Sequence, residues 1–330
     1  MMGPVIKYCP GTLAAGHQTY SSTCLRRLFG GRKVHHILPY NSPVAGDEGS
    51  DIFSENVARV SVSGVQEKYS LLLEKNRLRL VERGEQGRYI LKPAPGRVRL
   101  GAQMPANEHL TMQIARQVYG METAENALIF FGNGEPAYIT LRFDVKGDGT
   151  KRGEEDFASL AGRTPATHGE WFKYSGSYSE LFDLMQRYLP AWRIELPKLF
   201  RLLIFNYLFS NGDAHFKNFS VHETDFGDYR LAPAYDLLNS RLHISDADFA
   251  LDEGLIPESD SKAGMSIRDQ FMALAEMTGI DAAMARQIYN DMLTGTGKIE
   301  TFTAASYLSD DFKRRYLESY HIRLEALKRT

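Results

Sequence analysis

Asp213 and Asn218 stand with four residues between them in the stretch "SNGDAHFKNFS", residues 210–220, and a third oxygen-bearing side chain, Asp236, follows in "LAPAYDLLNS". Phosphoryl transfer asks for such a set: a carboxylate to take a hydroxyl proton, oxygen ligands for a divalent cation, and cations to grip phosphate oxygens. On this pattern Asp213 is the candidate base, and Asn218 and Asp236 are the candidate Mg²⁺ ligands. Asp236 follows a hairpin read from "NFSVHE" and "YRLAPAYD", so the chain returns towards the earlier loop just before it. The triplet Asp225-Phe226-Gly227 spells a metal-binding motif of protein kinases, but it falls at the expected tip of that hairpin and is set aside.

The cations are sought by position. Lys92 ends the strand "YILKP", where a kinase keeps its phosphate-gripping lysine, and Glu108 opens the following helix, where the lysine's ion-pair partner belongs. "SVSGVQEK", residues 61–68, lies between the first strands and could cradle phosphates through backbone N–H groups and the hydroxyls of Ser61 and Ser63, with Val62, Gly64, Gln66 and Lys68 completing the loop. It has a single glycine and is not a Gly-x-Gly-x-x-Gly loop. His215 could act as a base in its own right; it is read as a structural side chain of the nucleotide-binding loop, holding backbone carbonyls in place.

These residues need elements to carry them. Residues 58–95 alternate polar and apolar side chains with turns at "EKN" and "RGEQG", which predicts three antiparallel strands. "NEHLTMQIARQVYG" places Leu110, Ile114, Ala115 and Val118 on one helical face, with Asn107 as its cap and Gly120 as its stop. "ALIFF" and "AYITLRF" read as two further strands. Beyond residue 143 the pattern turns helical in "SYSELFDLMQRYL", "PKLFRLLIFNYLF", "MSIRDQFMALAEMTG", "DAAMARQIYNDMLTG" and "DDFKRRYLESYHIRLEALKR". The apolar run of residues 202–209, "LLIFNYLF", ends directly at the polar loop of Asp213 and would serve as its mount. The expected architecture is an α+β, two-lobed, protein-kinase-like fold: an N-terminal extension and linker over 1–56, a β-rich N-lobe over 57–143 with its phosphate loop at 61–68, and a helical C-lobe over 144–330 with the catalytic loop at 211–220.

Composition narrows the class only broadly. Hydrophobic residues at 43% and charged residues at 24% are ordinary for a globular chain, and a net charge of −2 over 330 residues argues against a large nucleic-acid footprint. The basic cluster "CLRRLFGGRKVHH" reads as a solvated face. No apolar run reaches the ~18 residues of a membrane span, the N-terminus has no signal-peptide layout, and two cysteines make no disulfide framework. A cytoplasmic protein is expected.

In order, "SVSGVQEKYSLLL", "YILKPAP", "NEHLTMQIA", "LRFD" with "EEDFASLAG", "SNGDAHFKNFS" and "LAPAYDLLNS" resemble the signature blocks of HipA-like serine/threonine kinases, the toxins of bacterial toxin–antitoxin systems, over residue 57 to the C-terminus. The resemblance implies ATP and Mg²⁺ as cofactors, Asp213 as catalytic base, Asn218 and Asp236 on the metal, Lys92 on the ATP phosphates, Lys217 on the γ-phosphate, and Leu141 to Phe143 as the hinge that meets adenine. It implies that Ser61 and Ser63 form a Ser-x-Ser pattern whose autophosphorylation moves the loop out of its ATP-competent shape; the added negative charge would oppose the nucleotide's own.

Longer members carry a further N-terminal domain, so the chain looks like the short HipT type, with a separate small protein supplying that domain. A DNA-binding antitoxin is a second implied partner, and an aminoacyl-tRNA synthetase the implied protein substrate. Direct nucleic-acid or membrane binding is not expected. Two features depart from the family pattern. Gly212 replaces the usual Thr or Asn before the base, and Cys9 and Cys24 survive from a zinc-binding set whose other positions hold Ile6 and Ser21, which argues against four-ligand zinc. A small-molecule kinase of the aminoglycoside or choline type shares the same spacing, and a catalytically silent antitoxin-binding scaffold is the alternative outside enzymology.

Overall fold

The computed structural model of the chain describes residues 5–43, 67–96, 100–245, 247–257 and 264–329. They divide into two compact units: unit 1 comprises Met1–Ile114, Ala124–Lys151 and Ile299–Arg314, and unit 2 comprises Ala115–Thr123, Arg152–Lys298 and Arg315–Thr330.

Unit 1 is built on a five-stranded antiparallel sheet of order β2-β1-β3-β5-β4, with β1 Tyr69–Glu74, β2 Arg77–Leu80, β3 Tyr89–Pro93, β4 Asn126–Phe130 and β5 Pro136–Leu141. The period-two alternation decides which side chains face which way. Tyr69, Leu71, Leu78, Tyr89, Leu91, Ala127, Ile129, Ala137 and Ile139 join a single buried cluster. The N-terminal residues add Cys9, Tyr20, Cys24, Leu28, Phe29, Val34 and Leu38 to it.

That stretch of chain is therefore part of this unit's core, where the sequence suggested an extension standing ahead of it. Helix α1, Ser22–Phe29, carries most of the contribution: the Ser21 hydroxyl accepts the Cys24 N–H at 3.2 Å as its cap, and Gly30 closes it in the left-handed region at φ 61°. Cys9 and Cys24 are buried free thiols, and no group of three His, Cys, Asp or Glu side chains among the described residues is arranged to hold a metal ion.

Helix α2, Met104–Gln117, starts three residues before Asn107, so Asn107 is not its cap. Asn107 lies inside the helix, fully buried, and its carbonyl accepts the Thr111 hydroxyl at 2.9 Å. The single apolar face expected of this helix is also wider in fact: Glu108, His109, Thr111 and Gln113 are buried with Leu110 and Ile114. Partners make the burial of Glu108, Thr111 and Gln113 tolerable, as in the 2.9 Å bond from the Gln113 amide to the Asn126 side-chain oxygen. Gly120, at φ 63°, ends the helical stretch as expected, and the Met121 N–H reaches back to the Ala115 carbonyl at 3.0 Å.

Unit 2 holds the three-stranded antiparallel sheet β6-β7-β8, with β6 Glu154–Asp156, β7 Ser220–Glu223 and β8 Tyr229–Leu231, among helices α3 Phe157–Leu160, α4 Pro165–His168, α5 Ser179–Tyr188, α6 Trp192–Leu208, α7 Ile267–Met277 and α8 Ala282–Met292. Helices α9, Thr296–Ala305, and α10, Asp310–Lys328, complete the chain. Periodicity identifies α5 to α8 and α10. The short β6, α3 and α4 carry too few residues to show a period, and α9 is only weakly amphipathic and gives no face to detect. Helix α6 begins five residues before Pro197, where the sequence suggested a start, and keeps the proline inside. Its second half buries Leu199, Phe200, Leu202, Leu203, Ile204, Phe205 and Leu208. The rings of Phe205, Phe209 and Tyr320 pack in series, with centroids 4.4 and 5.5 Å apart. No helix among the described residues is long and apolar enough to cross a membrane.

Candidate functional site

The polar loop starts where α6 stops, and the stop is a Schellman closure. The Asn211 N–H bonds the Asn206 carbonyl at 2.8 Å and the Ser210 N–H bonds the Tyr207 carbonyl at 3.1 Å, with Ser210 itself in the left-handed region at φ 52°. Glycine is the usual occupant of that position. Here the serine hydroxyl supplies compensation that glycine lacks: it meets the Ser319 hydroxyl at 3.0 Å and the Arg323 guanidinium at 3.3 Å, both on α10. The loop is thus pinned to two helices before Asp213 is reached.

Within the loop, the carbonyl of Asp213 accepts the His215 N–H at 2.8 Å and the Asn218 side-chain amide at 2.9 Å. The second bond orients Asn218. Its nitrogen is committed to a carbonyl, which leaves the amide oxygen as the group to offer a cation. The Asp213 side chain is 46% exposed, and its Oδ1 accepts the Tyr174 hydroxyl at 2.9 Å. Gly212 donates its N–H to the Ser240 hydroxyl at 2.9 Å, and Ala214 offers its carbonyl to the Tyr178 hydroxyl at 2.8 Å.

Asp236 sits at φ 55°, one of the few non-glycine residues with positive φ among those described. Such a conformation costs of order 1–3 kcal/mol and persists where the surroundings impose it. Two neighbours do so. The Asn211 amide nitrogen bonds both the Asn206 side-chain oxygen at 3.0 Å and, at 3.5 Å, the Asp236 carbonyl. The half-buried Tyr235 meets the Ser220 hydroxyl at 2.5 Å and donates to the Lys217 carbonyl at 3.1 Å. Asp236→Asn is expected to leave thermal stability nearly unchanged, because Asn tolerates this region, whereas Asp236→Val should lose about 1–3 kcal/mol from β-branched strain; parallel denaturant melts check the contrast.

His215 is buried, and its pKa is pushed down to about 3, first by that burial and then by the Lys173 charge. Its Nδ1 has no hydrogen-bond partner among the described residues, so that nitrogen holds no carbonyl; the backbone N–H does. The ring packs T-shaped against Tyr174, centroids 5.1 Å apart. Because the folded pKa lies below the ordinary 6.5, the unfolded chain binds the proton first, and stability is lost as pH falls from about 6.5 towards 3. His36 and His109, each lowered to about 4 by burial, act in the same direction. His215→Gln should flatten part of that acid slope in denaturant midpoints measured between about pH 7 and pH 4.

Lys217, the residue matched to a γ-phosphate contact, bonds Asp156 Oδ2 at 2.5 Å. Asp156 also caps α3, its Oδ1 accepting the Ser159 N–H at 2.9 Å. At the hairpin tip, Asp225 and Phe226 are 74% and 97% exposed and Gly227 takes φ 83°, so the literal Asp-Phe-Gly triplet forms a surface turn. A cavity of about 450 Å³ elsewhere in unit 2 is lined by Tyr119, Leu202, Ala232 and Ile288 with Lys198 and Arg201; none of Asp213, Asn218 or Asp236 lines it.

In unit 1, Lys92 lies on the sheet face opposite the buried cluster, paired in register with Tyr138. Its ammonium donates to Glu108 Oε1 at 2.6 Å and lies 5.2 Å from the Tyr138 ring centroid, and both charged side chains are only 4% exposed. The glutamate occupies the interior of α2's first half and does not open the helix. Leu141 ends β5, Phe143 follows it half-buried, and Lys68 precedes β1 half-buried. Ser61, Val62, Ser63, Gly64 and Gln66 lie outside the described residues.

Unit 2 therefore gathers Asp213, His215, Lys217, Asn218 and Asp236 around one loop and hairpin, and unit 1 joins Lys92 to Glu108. Sequence reasoning missed Tyr174, Asn211, Tyr235 and Asp156, which hold the loop. Asp156 stands in the "EEDFASLAG" block without an assigned role; the others carry no spacing signal.

Known proteins share this architecture. The profile of the HipA-like C-terminal domain matches residues 60–298. A Haemophilus influenzae protein provisionally named a kinase is 25% identical over 93% of this chain and 92% of its own length. The Sinorhizobium fredii proteins Y4mE and Y4dM, also provisionally named kinases, are 26% and 30% identical over 88% and 68% of this chain, which spans 64% and 56% of their lengths. Among solved structures, a Shewanella oneidensis HipA, described in complex with HipB and operator DNA, aligns at a TM-score of 0.61 with 22% identity over 81% of this chain and 65% of its own. The Helicobacter pylori proinflammatory kinase CtkA aligns at 0.53 with 14% identity over 80% of this chain and 91% of its own. The fold is kinase-like and mixed α+β.

Proposed function

Because this chain belongs to the HipA-like C-terminal domain family, we propose that it is an ATP- and Mg²⁺-dependent kinase that phosphorylates serine or threonine hydroxyls of a protein. The observation that carries the reading is the bond from the Asn218 amide to the Asp213 carbonyl. It ties the base and a metal ligand into one loop and leaves the amide oxygen as the donor. Asn218 and Asp236 offer hard oxygen donors, the kind Mg²⁺ takes alongside phosphate oxygens and water. The bound ion would neutralise charge on the phosphates. Asp213 would receive the acceptor's proton as its oxygen attacks the γ-phosphorus and the bond to the β-phosphate oxygen breaks. Lys92, held by Glu108, would grip the phosphates, and Leu141 to Phe143 would meet adenine. Ser61 and Ser63 would be the sites of regulatory autophosphorylation.

The HipA relative is described as belonging to a toxin–antitoxin system, and the role of toxin is proposed for this chain, with a DNA-binding antitoxin as partner and an aminoacyl-tRNA synthetase as target. The test is phosphoproteomics on cells expressing the chain or its Asp236→Asn form. Growth arrest with a new phosphoserine or phosphothreonine on a synthetase is expected only with the unaltered sequence. Equal phosphoproteomes in the two cultures would overturn the reading.

A further inference from the structure

We infer that Tyr174 is a positioning residue for phosphotransfer: its hydroxyl holds Asp213 Oδ1 and so fixes the rotation of the carboxylate that receives the acceptor's proton. The inference rests on the kinase reading of Asp213. Its own basis is the 2.9 Å bond from the Tyr174 hydroxyl to Oδ1 and the way Tyr174 is itself held. A carboxylate that is 46% exposed has rotameric freedom, and an anchored partner removes it.

Tyr174, itself half-buried, is anchored through its backbone and its ring. Its N–H bonds the Trp171 carbonyl at 2.8 Å, and its carbonyl accepts the Asp252 N–H at 3.0 Å. The preceding carbonyl, of Lys173, accepts the Phe216 N–H at 3.1 Å, which ties this segment to the catalytic loop by backbone. The ring packs T-shaped against His215, and the Lys173 ammonium lies 4.9 Å from the ring centroid. A phenol so held acts as a strut. A hydroxyl that merely occupied the acceptor's place would have to swing away on each turnover, against these contacts.

The experiment compares the full chain, Tyr174→Phe and Asp213→Asn with ATP, Mg²⁺ and a protein acceptor, together with their thermal midpoints. Misplacement of a catalytic group by about 1 Å can lower a rate on the order of 100-fold. Tyr174→Phe is therefore expected to lower kcat about 10- to 100-fold, with KM for ATP and for the acceptor changed less than about twofold and the thermal midpoint retained. An unchanged or raised kcat would overturn the inference, the latter showing a placeholder instead of a strut. So would a rise in KM, a fallen thermal midpoint, or phosphate found on Tyr174 itself. If the full chain shows no transfer that Asp213→Asn abolishes, the kinase reading fails and this inference with it; if it does and Tyr174→Phe matches it, only the inference fails.

Discussion

Asp213→Asn is expected to lower phosphotransfer by about 10²–10⁴-fold, the usual contribution of a positioned general base, while nucleotide binding and folding stay intact. The amide keeps the shape of the carboxylate, and its oxygen can still accept the Tyr174 hydroxyl. The contacts that fix the loop run through the Asp213 backbone carbonyl, which accepts from His215 and Asn218 and is untouched by the change. Rates with labelled ATP, measured beside nucleotide affinity and thermal midpoint, separate lost chemistry from lost structure. Transfer within about threefold of the original would remove Asp213 from the role of base.

Lys92→Met should do damage of a different kind. The ion pair with Glu108 is almost wholly shielded from water, so removing the lysine deprives a buried carboxylate of the cation 2.6 Å away. Breaking one side of such a pair destabilises by about 3–5 kcal/mol, whereas replacing both partners with neutral groups of similar size can be close to neutral. Lys92→Met should thus lower the denaturant midpoint strongly, and Glu108→Gln, which removes the ammonium's counter-charge, should do likewise. The double variant Lys92→Met with Glu108→Gln should recover most of the stability and none of the transfer. Recovery of stability without activity marks the lysine as a phosphate ligand as well as a structural charge; full additivity of the two losses would show that the side chains do not interact.

Strands β1 to β3 of unit 1 are legible in the sequence because their faces differ. Residues 69–93 alternate, and the alternation sends Leu91 to the core and Lys92 to the other face, while β4 and β5 show as short apolar runs, buried along most of their length. Helix α6 is legible from its apolar density, and its abrupt polar end marks the loop of Asp213. Helix α2 is legible in position and not in burial, because polar residues at 107, 108, 109, 111 and 113 are buried in it, and Asn107, Glu108, Thr111 and Gln113 find partners elsewhere in the chain or in the helix itself. The N-terminal residues resemble an extension since their small elements show no period, yet Cys9, Tyr20, Cys24, Leu28 and Phe29 complete the unit 1 core.

What the sequence alone determined is the inventory and order of the chemical groups: a carboxylate and an amide with four residues between them, an aspartate beyond a hairpin, a lysine at a strand end and a glutamate after it. Spacing along a chain constrains such groups because loop length and strand alternation are local properties. Tertiary structure alone decided how each is held. Tyr174 lies 39 residues from Asp213 and Arg323 lies 113 from Ser210, and the left-handed backbone of Asp236 is imposed by its surroundings. Hydrogen bonds across such separations depend on where folding brings the chain, and that leaves no mark on local pattern.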